Sequence, residues 1–189
     1  MIYLASQSPR RRQLLEQIGV NFGVLDVQVP ELRRVGEPAL DYVSRVAREK
    51  AGAGLLGVGS LPGALVLGAD TEVVLDGEVF GKPADAAQAA AMLQRLSGRT
   101  HEVISAVWAV TAGREEHALS VSQVTFASLD VAAIEAYVAS GEPYGKAGAY
   151  AIQGRAAAFV AHLVGSYSGV MGLPLHETAG LLRTLGRVF

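Results

Sequence analysis

Short apolar runs alternate with stretches of helical periodicity along this chain, and each change of period predicts an element boundary. Ile2 to Ala5 reads as a strand, after which Leu14, Leu15 and Ile18 fall on one helix face. Ser8 then stands at the N-cap position and Pro9 at the first helical position. Phe22 to Val29 predicts a second strand. In "DYVSRVAREKAGAGLL" the residues Tyr42, Val43, Val46 and Ala47 share a face, with Arg45, Arg48 and Glu49 largely off it, and the glycine-rich "GVGSLPG" ends the helix. Ala64 to Leu67 is a continuous apolar run of the kind a strand buried on both faces shows. Asp76-Gly77, between Val73–Leu75 and Val79–Phe80, is a hairpin signal. Ala84 to Leu96 predicts an alanine-rich helix. "THEVISAVWAV" and "ALSVSQVTFASL" predict an antiparallel pair joined across Gly113, and Asp130 caps a helix running to about Ser140. "GEPYGKAGAYAIQG" is too rich in glycine for regular structure throughout, "AFVAHLVGSY" predicts a late strand, and Leu175 to Leu185 a closing helix. Strands and helices intermixed with at least one hairpin predict an α/β fold with a mixed sheet.

With 189 residues, the chain suits one domain with a proper core, residues 1–189. Apolar residues at 50% and charged residues at 18% place it among folded proteins. A net charge of −2 argues against nucleic-acid binding, so any phosphate recognition is expected to be local. The absence of cysteine excludes disulfides, thiolate metal sites and cysteine nucleophiles. No signal peptide and no run long enough for a membrane span is evident, which leads to the expectation of a cytoplasmic protein without a membrane partner.

Against this background "SPRRRQ" is odd. Arg10 to Arg12 fall in the first helical turn, where unpaired backbone N–H groups already make the helix end electropositive and acidic residues are favoured. Either the arginines are solvated, at a cost of about 0.3–1 kcal/mol each, or an anion such as phosphate completes the site. Other patterns lead nowhere. "GEPYGKAG" has the wrong spacing for a phosphate loop, and "GSYSG" the wrong spacing for a nucleophile elbow. The histidines at 101, 117, 162 and 176 lack metal-ligand spacing. Asp70, directly after the buried run, is expected at the C-terminal end of a strand with Gly68 allowing close backbone approach; a carboxylate there can hold Mg²⁺ or accept a proton from water. Lys82 lies just past the hairpin and Lys50 closes a basic helix face. With Arg10 and Arg11 they would make a polyphosphate cradle if the fold converges them.

The ordered set "ASQSPRR", "YVSRVAREKA", "LGADTEVVLDGEVFGKP", "LSGRTHEV", "KAGAYAIQG" and "GSYSGVMGLPL" resembles the Maf family of nucleoside triphosphate pyrophosphatases over nearly the whole chain. The resemblance implies an elongated mixed sheet flanked by helices, with two lobes and a central cleft, related to the inosine triphosphatases. It implies hydrolysis of a nucleoside triphosphate to the monophosphate and pyrophosphate with a divalent cation, Mg²⁺ or Mn²⁺. On that pattern Asp70 is the proton acceptor and a metal ligand. Arg10, Thr71 and Gln153 sit where the family reads its substrate; Ser8, Arg11, Lys50 and Lys82 line the phosphate site. Glu31 in "VPELRR" loosely matches an acidic position that helps to hold metal. "AGAYAIQG" resembles the branch acting on dTTP and UTP, and the Gln153 amide offers the donor and acceptor that a uracil or thymine edge requires. A homodimer would be unsurprising. Two positions depart from the family pattern: Gly145 and Gln123 stand where acidic residues are common, with weaker metal affinity, or a change in which side chain orients Lys146, as the expected effect. The alternatives are a pyrophosphatase for modified purine nucleotides and a non-catalytic nucleotide-binding regulator of septum formation.

Overall fold

The change from strand to helix expected near Ser8 is also where the chain first turns towards the site. In the computed structural model, which describes residues 1–188, strand β1 (Ile2–Leu4) leads into helix α1 (Pro9–Gln17). Ser8 takes the N-cap position and Pro9 the first helical one, as predicted, but the Ser8 side chain makes no capping bond. The second strand, β2 (Phe22–Val24), is shorter than its apolar pattern suggests. Its partner β1 has run out: Leu25 N–H reaches Leu4 O, after which no strand remains to pair with. Val27 and Val29 pack as single apolar contacts instead.

Helix α2 (Ala39–Val58) follows, with Tyr42, Val43, Val46 and Ala47 buried as the pattern requires. Next, β3 (Leu65–Leu75) does not stop at Asp70; it runs through that residue for eleven residues, so Asp70 sits mid-strand rather than at a strand end. The hairpin at Asp76-Gly77, both residues left-handed at φ 53° and 78°, returns the chain into β4 (Glu78–Phe80). Helix α3 (Ala86–Leu96) begins at Asp85, whose carboxylate accepts from Gln88 N–H. Strands β5 (Thr100–Val110) and β6 (Glu115–Phe126) form the expected antiparallel pair. Helix α4 (Val131–Ala139) is capped by Asp130. The glycine-rich segment folds as turns. Strand β7 (Val160–Val164), a short helix α5 (Tyr167–Met171) and helix α6 (Leu175–Thr184) complete the chain.

The strands make one mixed seven-stranded sheet in the order β2-β1-β3-β5-β6-β7, with β4 added to β3. β2, β1 and β3 are parallel, and the remaining pairs antiparallel. One edge of β3 is covered by β5 from Val66 to Val74. On the other edge β1 pairs only with Leu65–Leu67 and β4 only with Val73–Leu75. Residues 68–72 therefore face a gap in the sheet, and the cleft opens there. The two largest buried apolar clusters lie on either side of it: β1, α1 and α6 build one lobe, while α3, α4 and the second half of β3 build the other. Gly68 faces α2, where a Cβ would collide with the Ala47 carbonyl and the Ala51 amide. Only glycine lets α2 pack this close to the strand that carries Asp70. No helix among the described residues is long and apolar enough to cross a membrane.

Candidate active site

The gap in the sheet opens into a cleft of about 480 Å³. All nine residues singled out from the sequence line it: Ser8, Arg10, Arg11, Glu31, Lys50, Asp70, Thr71, Lys82 and Gln153. The fold converges them from α1, the loop before α2, α2 itself, β3, the segment after β4 and a late turn.

The three arginines divide their work. Arg10 Nε donates to Met171 O at 3.2 Å, and Arg11 Nε to Gly172 O at 2.8 Å. Both carbonyls lie at the C-terminal end of α5, where helix carbonyls lack intrahelical donors and attract cations. Arg11 also donates to Ser6 Oγ at 3.3 Å. Among the described residues neither terminal nitrogen of Arg10 bonds a protein atom, so a fork of N–H donors remains for a ligand. Arg12 instead donates to Gln7 O at 3.0 Å and does not line the cleft. Burial lowers the pKa of Arg11, while Asp70, Glu31 and Glu72 pull it back up. Of the two explanations for the positive run, the anion site fits Arg10 and Arg11.

Lys50, only 8% exposed, projects from α2 onto the strand. Its Nζ lies 2.7 Å from Asp70 Oδ1 and 2.6 Å from Glu31 Oε1. Lys82 takes the other Glu31 oxygen at 2.6 Å. The loop holding Glu31 is pinned from α2: Tyr42 Oη donates to Glu31 O at 3.0 Å, and Arg45 to Leu32 O at 3.0 Å. Burial raises the Glu31 pKa, but the hydrogen bonds from Lys50 and Lys82 outweigh it and hold it at about 2. Glu31 is thus an anion between two lysines with both oxygens engaged.

Thr71 points to the opposite face of β3 from Asp70. Ser105 Oγ donates to Gly169 O at 2.6 Å, so the 2.7 Å contact between Thr71 and Ser105 uses the Thr71 proton. What Thr71 retains for a ligand is its lone pairs.

Glu72 and Lys146 were not among the predicted residues. Glu72 lies two residues beyond Asp70 and shares its face, a period-two relation visible in the sequence once β3 is read as unbroken. Burial, then the charge of Asp70, raises the Glu72 pKa to about 8. Lys146 sits in "GEPYGKAG". That segment forms no phosphate loop, yet it brings Lys146 into the cleft, where burial and then Arg10 lower its pKa. Gly148 fixes the segment: its φ is 67°, and a Cβ there would lie 2.8 Å from Val73. The next turn carries Gln153 and is held by Glu142. The Glu142 carboxylate accepts from Tyr137 Oη at 2.9 Å and from Arg155 N–H at 3.1 Å, while Tyr137 Oη accepts from Ala151 N–H at 3.1 Å.

The two departures from the family pattern fare differently. Gly145 lines the cleft with φ 72° and open space beside it. Gln123 is exposed on β6 and outside the cleft lining, so its substitution removes no carboxylate from the site. Of the histidines, His101 is a core residue, buried against Phe126 and bonded to Tyr150 Oη at 2.8 Å.

Five cationic side chains thus face three carboxyls in one cleft: Arg10, Arg11, Lys50, Lys82 and Lys146 against Glu31, Asp70 and Glu72. Residues 1–185 match the family model described as Maf-like protein. The chain belongs to the Maf family. Within it, a protein from Xylella fastidiosa (strain M23), named nucleoside triphosphate pyrophosphatase, is 60% identical over 185 residues, 97% of this chain and 98% of its own length. One from Xanthomonas euvesicatoria pv. vesicatoria (strain 85-10), named dTTP/UTP pyrophosphatase, is 60% identical over 188 residues, 98% of this chain and 99% of its own. Among solved structures, that of the Staphylococcus aureus Ham1 protein covers 66% of this Maf chain and 71% of its own, with a TM-score of 0.44 at 14% identity.

Proposed function

We propose that this chain hydrolyses nucleoside triphosphates between the α- and β-phosphates, releasing the monophosphate and pyrophosphate, with dTTP and UTP as its preferred substrates. One observation carries the reading. Lys50 holds one oxygen of Asp70 while the other is buried and unpartnered, and Asp70 lines a cleft with four further cations.

On this reading the triphosphate lies along the N-terminus of α1, where Arg10, Arg11 and the free Ser8 hydroxyl meet its oxygens. Asp70 Oδ2 takes a proton from water as the water oxygen bonds to the α-phosphorus. The bond from that phosphorus to the bridging oxygen breaks, and its electron pair leaves with pyrophosphate. Lys82 and Arg11 neutralise the charge that develops there, which is the main contribution a protein makes to phosphoryl chemistry. Lys50 orients Asp70 through the bond to its Oδ1. The Gln153 amide reads the base edge, and the Thr71 lone pairs accept from its N–H.

A divalent cation suits the donors on offer. The free donors in the cleft are carboxylate oxygens, the hard type that Mg²⁺ and Mn²⁺ prefer, and Asp70 Oδ2 is buried without a partner. No group of three metal-ligating side chains forms among the described residues, so phosphate oxygens and water would complete the shell. When bound, the cation supplies charge neutralisation on the phosphates.

Incubation with UTP or dTTP in Mg²⁺ or Mn²⁺ is expected to yield monophosphate and pyrophosphate in equal amounts. Release of orthophosphate alone would refute cleavage at the α–β bond. Asp70→Asn is expected to retain nucleotide affinity within about threefold while lowering kcat by about 10²–10⁴.

A further inference from the structure

Two carboxyls in the floor of the cleft lack partners for an oxygen atom each. Asp70 is 5% exposed and Glu72 is 7% exposed. They lie on the same face of β3, on the stretch whose outer edge no strand covers. Asp70 Oδ2 and Glu72 Oε2 are buried and bond no protein atom. The neighbouring cations do not resolve this. Lys50 is shared between Asp70 Oδ1 and Glu31, Lys82 is bonded to Glu31, and Arg11 is turned to Ser6 and Gly172. Each Glu31 oxygen already accepts from a lysine. A buried carboxyl oxygen left without a donor is costly, and two on one face doubly so. Something that accepts lone pairs from both belongs between them.

We propose that Asp70 and Glu72 together form the protein's half of a divalent-cation seat in the cleft, with Glu72 as the ligand that fixes the ion beside the phosphate-binding side chains. The donors are oxygen only, which suits Mg²⁺ or Mn²⁺ and disfavours softer ions. Two carboxylates with open positions for phosphate and water match the way Mg²⁺ is usually held at nucleotide sites. Asp70 Oδ2 has lone pairs enough to meet the ion and still face water. The seat rests on the orphaned oxygens themselves; the pyrophosphatase reading identifies only the phosphate that would complete its shell.

The test measures Mn²⁺ alone by the paramagnetic resonance signal of the free ion, on folded protein checked by circular dichroism. The wild type is expected to bind one Mn²⁺ per chain. Glu72→Gln, which keeps the side-chain shape, is expected to weaken it at least tenfold. Glu72→Asp, which keeps the carboxylate, should recover part of that loss, and Glu31→Gln should leave Mn²⁺ affinity within threefold. Equal Mn²⁺ affinity in the wild type and Glu72→Gln overturns the seat, as does a loss in Glu31→Gln instead. A second arm measures α,β-methylene-UTP in EDTA, whose binding should be unchanged by Glu72→Gln. If the analogue fails to bind even the wild type, the triphosphate reading falls while the Mn²⁺ arm still decides the seat. If Glu72→Gln loses analogue binding in EDTA together with Mn²⁺, the cleft has collapsed and the specific assignment falls.

Discussion

Removing the charge of Glu142 tests whether base selectivity depends on a carboxylate that never faces the cleft. Gln153 sits in the turn from Ala151 to Gly154, closed by Gly154 N–H on Ala151 O at 3.0 Å. Glu142 anchors both sides of that turn: through Tyr137 Oη it reaches Ala151 N–H, and directly it reaches Arg155 N–H. Burial raises the Glu142 pKa, but these donors outweigh it and the net shift is downward, so the group is an anion at neutral pH. Glu142→Gln replaces one acceptor oxygen with an N–H₂ that opposes a donor. Each hydrogen bond to a charged group contributes about 1.5–3 kcal/mol, and Glu142 is partly exposed, so water softens the loss. We expect about 2–3 kcal/mol lower stability in urea denaturation. The consequence for function should be a split. The KM for UTP should rise about tenfold, the preference for UTP over CTP should fall, and kcat should stay within about threefold, because the machinery around Asp70 is untouched. Pyrophosphate release measured for both nucleotides decides it. If Gln153→Ala erodes the UTP preference while Glu142→Gln leaves KM and preference as in the wild type, then Glu142 does not act through the turn.

Two further outcomes follow from packing. Gly68→Ala drives a methyl group into the backbone of α2 at Ala47 and Ala51, where no flexible side chain can yield; we expect a loss of about 3 kcal/mol, or about 6–12 °C in Tm, and an unchanged thermal melt would contradict the close approach. His101, 2% exposed, is held by burial at a pKa of about 4 against an ordinary 6.5. The unfolded chain takes up that proton below pH 6.5 and the folded chain refuses it until about 4, so stability is full above 6.5 and falls by about 3 kcal/mol as pH drops through that window. Urea midpoints at pH 7.5 and 4.5 should converge more closely for His101→Gln than for the wild type; Glu31, also acid-sensitive, contributes to both proteins and cancels in the comparison.

What could be read from the residues alone was whatever depends on local chemistry at fixed spacing. Ser8-Pro9 marks the start of α1 because both residues act through their own backbone geometry. The Asp76-Gly77 hairpin and the buried face of α2 were legible for the same reason. Arg10, Arg11, Lys50, Asp70 and Lys82 were legible from charge and position: arginines in a first turn, a lysine closing a basic helix face, an acid after an apolar run, a lysine past a hairpin; Ser8, Glu31, Thr71 and Gln153 came only from the resemblance to the family. Their convergence was not legible, since it depends on β1 and β4 covering different parts of one edge of β3. The errors have that same origin. The apolar run of β3 breaks at Asp70 because three consecutive polar residues, Asp70, Thr71 and Glu72, interrupt it, yet all three line the cleft, where a polar side chain meets open space rather than an apolar layer. Reading the strand as broken hid Glu72, whose relation to Asp70 exists only in an unbroken one. Helix α5 is five residues long, too short for a periodic signature, although its terminal carbonyls orient Arg10 and Arg11. Glu31 shows the limit most clearly. Its charge could be read from the sequence, but the two lysines that meet its oxygens lie 19 and 51 residues away in the chain, and their approach could not. A carboxylate's role in such a cleft is decided by which oxygens the fold leaves unbonded, and only the three-dimensional partners determine that.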